Sequence, residues 1–79
     1  MQKSDMFTEA CSRLMRVAAY VDPLVNRYII HVKSSDICED NDIVNSAIAL
    51  TLDLLYSNEY NIDIKNEDGI VKLKFEINE

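Results

Sequence analysis

Arg27-Tyr28-Ile29-Ile30-His31-Val32-Lys33 is the stretch on which the topology turns, because it satisfies the rules of two different elements. As a helix it would start well, with Asp22 as N-cap and Pro23 at the first helical position. Leu24, Val25, Tyr28, Ile29 and Val32 would then form one stripe. As a strand, its residues are mostly β-branched or aromatic, and Tyr28, Ile30 and Val32 alternate with Arg27, His31 and Lys33. We take the alternation as decisive and read residues 27–33 as a half-buried strand. The helical reading would instead put three helices ahead of a C-terminal hairpin, a winged-helix arrangement.

Downstream, residues 34–41 read as a polar loop that leads to Asp42 as the N-cap of a helix over residues 42–56. The acidic approach suits the positive end of that helix's dipole. Its apolar residues are Ile43, Val44, Ala47, Ile48, Ala49, Leu50, Leu52, Leu54, Leu55 and Tyr56, leaving Asn45, Ser46, Thr51 and Asp53 for water. A helix that is apolar nearly all round must be covered on more than one side. The last stretch carries the clearest hairpin signal. A four-residue loop Asn66-Glu67-Asp68-Gly69, with Gly69 in the left-handed position, would set Lys65 against Ile70, Ile64 against Val71, Ile62 against Leu73 and Tyr60 against Phe75. Asp63 would then oppose Lys72 on the other face, and a slip by one residue would expose every apolar side chain.

Upstream, residues 4–20 read as an amphipathic helix. Phe7, Ala10, Cys11, Leu14, Val17, Ala18 and Val21 recur at helical spacing, Ser4 or Asp5 is available as cap, and Glu9 and Arg13 are four apart in the favourable order. Asp22-Pro23 ends it. The expected fold is α+β, a single domain over residues 1–79, in the order helix, strand, helix, strand, strand. A right-handed crossover through the apolar helix makes strand 27–33 parallel to 60–65, with 70–77 between them, in a three-stranded mixed sheet. Two helices pack on one face, made by Tyr28, Ile30, Val32, Ile62, Ile64, Val71, Leu73, Phe75 and Ile77.

A chain of 79 residues leaves much of its surface wet, so disulfides, a metal or association usually supplement its core. Cys11 and Cys38 form no CxxC pair and have no histidine cluster beside them. With no uninterrupted apolar run in the first residues, both are expected to be reduced cytoplasmic thiols, Cys11 buried in a helix and Cys38 in a loop. The remaining remedy is association. One helical stripe, Ala49, Leu52 and Tyr56, is the expected partner or dimer interface, because the chain has only one other helix with which to cover residues 42–56. The competing possibility is a central helix enclosed between the sheet and the first helix. No apolar run is long enough to span a bilayer, and 48% hydrophobic residues with one Gly and one Pro argue for an ordered domain.

The chemistry-bearing residues are sparse. Asp36, Asp40 and Asp42 match three offsets of a calcium loop, but Cys38, Asn41 and Ala47 stand where an oxygen ligand, the turn glycine and the bidentate glutamate belong. A helix-capping loop is the better reading, and no metal or cofactor is expected. His31 is the only histidine, and no local pattern joins it to Cys38 as a nucleophile and base. Gly69 is the only glycine and the hairpin claims it, which removes a phosphate-cradling loop. A charge pattern is left. On the strand assignment Arg27, His31, Lys33, Lys65, Lys72 and Lys74 point away from the helices, with Asp63, Glu76 and Ile29 among them. That face would be basic in a molecule with net charge -6. It would suit an acidic protein surface better than RNA, because no aromatic side chain points outward for base stacking. The alternative is a solvated face whose lysines discourage edge pairing.

These features point to a small acidic non-enzymatic protein-interaction module, expected to be a homodimer and to act as a regulator, inhibitor or chaperone-like accessory protein on a larger partner. The alternative is nucleic-acid association through the basic sheet face or a winged-helix arrangement. That version needs a polar recognition helix, whereas residues 42–56 offer Leu, Ile and Ala.

Overall fold

The structure, a computed structural model, describes residues 2–19, 27–56 and 60–77. Its elements are α1 (Lys3–Ala19), β1 (Arg27–Lys33), α2 (Ser34–Ile37), α3 (Asn41–Leu55), β2 (Tyr60–Glu67) and β3 (Ile70–Ile77). The molecule is α+β, as the periodicities require. The Asp22-Pro23 stop and the apolar residues Leu24 and Val25 lie outside the described residues, as do the side chains of Tyr60 and Ile77.

Strand β1 has the expected bounds, and its side chains alternate between exposed and half-buried along its whole length. A three-helix winged arrangement is thereby ruled out. The sheet order is β1-β3-β2. Strands β1 and β2 run the same way with β3 between them, as the crossover demands. Each ladder is antiparallel, so the hydrogen bonding of the sheet is not mixed.

The hairpin register is shifted by two residues from expectation. Glu67 pairs with Ile70, Lys65 with Lys72, Ile64 with Leu73, Asp63 with Lys74 and Ile62 with Phe75. The cause is the turn. Asp68 and Gly69 both have positive φ, 52° and 76°, and make a two-residue connection whose twist matches that of the strands. The expected four-residue loop is therefore absent, and Asn66 and Glu67 belong to the strand. Because side chains alternate with a period of two, the slip changes every partner but moves no residue to the other face.

Helix α1 starts one residue earlier than expected, with the Gln2 carbonyl accepting from the backbone N–H groups of Asp5 and Met6, both at 3.1 Å. Ser4 and Asp5 therefore lie inside the first turn rather than capping it, where the Asp5 charge complements the helix dipole. Arg13 pairs with Glu9 as its spacing predicts, and also donates from Nη1 to the Ile37 carbonyl at 2.9 Å and the Asp36 carbonyl at 3.4 Å. Those are end carbonyls of a one-turn helix, which have no partner within it. Residues 34–41 are thus not a plain loop. Ile37 and Cys38 are buried, and these two apolar side chains anchor a turn that its polar composition hides.

The N-cap of α3 is Asp40, not Asp42. Its Oδ1 accepts from the N–H groups of Asp42 at 3.0 Å and Ile43 at 3.4 Å. Asp42 sits in the first turn. Ile43, Val44, Ala47, Ile48 and Thr51 of α3 are buried against Ala10 and Leu14 of α1 and the inner sheet face, where Ile64, Val71, Leu73 and Phe75 are buried too. Tyr28, Ile30, Val32 and Ile62 pack partly buried on this core. The fully buried Thr51 hydroxyl donates to the Ala47 carbonyl at 2.7 Å. Two polar ties close one end of the sheet, one across to α3 and one continuing the β1–β3 ladder. Asn66 Nδ2 donates to Oδ1 of Asn41 and Asn45, at 2.8 and 3.1 Å. The Gly69 carbonyl accepts from both the backbone N–H of Ser34, at 2.9 Å, and its hydroxyl, at 3.2 Å.

Candidate interaction surfaces

The outer face of the sheet is built by the alternation of its three strands. Reading across β1, β3 and β2, its rows are Lys33-Ile70-Glu67, His31-Lys72-Lys65, Ile29-Lys74-Asp63 and Arg27-Glu76-Asn61. All five predicted basic residues, Arg27, Lys33, Lys65, Lys72 and Lys74, lie on it and are exposed. They share the face with Asp63, Glu67 and Glu76, so it is net positive although the chain carries -6. Two pairs soften it: Arg27 lies 3.5 Å from Glu76, and Lys65 lies 3.7 Å from Asp63 along its own strand. Such exposed pairs contribute little to stability. Lys72 is flanked by His31 on one side and Lys65 on the other, and no carboxylate opposes it. The two-residue register shift creates this row, which the expected pairing of Asp63 with Lys72 would have neutralised.

A second surface is the exposed side of α3. Of the expected interface residues, Ala49 is exposed and Tyr56 is 80% exposed, whereas Leu52 packs partly buried on the core. Leu50 and Leu54, at 39% and 61% exposure, are two further apolar residues that the sequence did not single out. With 100° per residue they lie on the flank opposite Ala49 and Tyr56, separated by Ser46 and Asp53. The helix is buried on one side by its own molecule and leaves apolar side chains open on two others.

The remaining candidates are structural. Met6, Glu9, Arg13, Ile37, Cys38 and Glu39 line a cleft of about 490 Å³. Its one cation, Arg13, is already committed to Glu9 and two carbonyls. Cys11 and Cys38 are free thiols, and Cys11 is only partly buried, less than expected. Burial pushes the Cys11 thiol pKa up, against a smaller lowering by a backbone hydrogen bond. His31 lies on the outer sheet face and Cys38 in the core on the other side, so the structure does not bring them together. Asp40 is occupied as a cap, and among the described residues no three His, Cys, Asp or Glu side chains converge as a metal site. No described helix is long and apolar enough to cross a membrane. Compared with protein-family models, curated proteins and solved structures, the chain has no significant match.

Proposed function

We propose that this protein is a small non-enzymatic interaction module that self-associates through α3 and acts by occupying a surface of a larger protein, as regulators, inhibitors and accessory chaperones do. The observation that carries this reading is the exposed apolar surface along α3 and at its C-cap, Leu50, Leu54 and Tyr56. A 79-residue chain has little core to spare, and large apolar side chains kept in water are favourable to cover. Ala49 and Tyr56 supply the contact across a two-fold axis, and Leu52 supports them from the core. The acidic net charge keeps copies soluble and disfavours wrapping of ordinary nucleic acid.

Sedimentation equilibrium over a hundredfold concentration range, paired with recovery of bound proteins from the native host, tests the reading. A concentration-dependent dimer and one reproducible partner are expected. A compact monomer at the highest concentration, with no protein partner recovered, overturns it.

A further inference from the structure

The row His31-Lys72-Lys65 sets Lys72 directly against Lys65, and like charges directly opposite each other destabilise a sheet. A chain with 14 acidic residues has ample means to avoid it. Where a sequence breaks a local rule without a local gain, the gain is sought in binding. Strand β1 borders this row and is an edge: among the described residues it pairs with β3 only. On its outer side it presents Arg27, Ile29, His31 and Lys33, with Ile29 56% exposed. On its inner side Tyr28, Ile30 and Val32 are only half-buried, whereas their cross-strand partners Phe75, Leu73 and Val71 are buried. Among the described residues the edge thus offers backbone groups with no neighbouring strand, a basic outer side and a partly open apolar inner side, which together specify a complementary strand with acidic residues on one face and apolar residues on the other.

We propose that β1 captures an extended acidic segment of a partner protein, which joins the sheet as a fourth strand beside it. Acidic side chains of that segment face Arg27, His31 and Lys33, within reach of the Lys72 row, and its alternate apolar side chains cover Tyr28, Ile30 and Val32. A second copy of β1 does not fit. Antiparallel pairing about Ile30 would set Arg27 against the other copy's Lys33 at both ends. Joining β1 to the β2 edge of another copy is a head-to-tail contact, which builds a ring or an open filament rather than a dimer. RNA is a poorer match, because no described outward side chain of the sheet is aromatic. The inference rests on the reading of the chain as a binding module, but not on self-association through α3.

The test uses the full chain, isotope-labelled for amide NMR, and a capped octapeptide alternating Glu and Val. One control peptide carries Lys for Glu, and a second is N-methylated at alternate residues so that it cannot complete a ladder. The acidic peptide should shift the β1 amides and lose affinity as salt rises, while both controls bind at least tenfold more weakly. Lys72→Glu and Lys33→Glu should each lower capture about tenfold or more, with the thermal midpoint unchanged or raised. Equal binding of the N-methylated peptide, shifts confined to α3, or tighter binding of oligouridylate to the same face would each overturn the proposal. Recovery of a protein partner through α3 without peptide capture would overturn it too, and leave the interaction-module reading standing.

Discussion

Asp40 holds the start of α3 with one carboxylate oxygen, and the neighbouring Asp42 contributes only through the helix dipole. Asp40→Ala should therefore cost about 1 kcal/mol of stability, the usual worth of an N-cap, and Asp42→Ala only about 0.3 to 1, when urea unfolding midpoints are compared. The choice between the two was not legible, because Asp40 and Asp42 are alike in chemistry and only the backbone direction selects one. Cys11 offers a pH test. Burial raises its pKa in the folded chain, so folding favours the neutral thiol. That contribution is fully present below the thiol's unfolded pKa and is lost as pH rises through the higher folded one. The stability difference between the protein and its Cys11→Ala variant should accordingly shrink from neutral to strongly alkaline pH in urea titrations. An invariant difference would show that folding leaves the thiol's pKa unchanged.

Among the elements, the hairpin depends most on one backbone position. Gly69 sits at φ 76° in open space, so Gly69→Ala meets no steric neighbour and acts through backbone strain alone. It should destabilise the fold by about 1 to 2 kcal/mol, measured by thermal or urea melting, and Gly69→Asn by less. A loss below a few tenths of a kcal/mol would mean the turn is not the two-residue kind. Asn66-Glu67-Asp68-Gly69 is compatible with two loop lengths, which explains why the faces of β2 and β3 could be read from the sequence and their partners could not. Face membership follows from period-two alternation, which survives a two-residue slip, whereas partnership depends on the torsions of Asp68 and Gly69. β1 was legible for the same reason, through the alternation of Tyr28, Ile30 and Val32. The α2 turn was not, since Ser34, Ser35 and Asp36 advertise a loop and only tertiary burial of Ile37 and Cys38 makes them a helix.

For the whole molecule, the proposed association through α3 would link stability to concentration. If two copies cover Tyr56, the unfolding midpoint should rise with protein concentration, and Tyr56→Glu should abolish that dependence while leaving the far-ultraviolet spectrum of the monomer intact. A midpoint independent of concentration in the parent chain would count against the interface. The five basic residues of the outer sheet face could be named from sequence, because side-chain alternation assigns them. The openness of Leu50 and Leu54 could not, because the direction from which α1 and the sheet approach α3 is a property of the assembled layers. The double tie from Ser34 to the Gly69 carbonyl has a consequence for the order of assembly. The hairpin is made of near neighbours in the chain and can form early. The tie and the β1 ladder instead close a span of dozens of residues, a much larger loss of chain entropy. On this ordering the tight turn offers a landing point that registers the distant strand, and closing that ladder also completes the exposed edge.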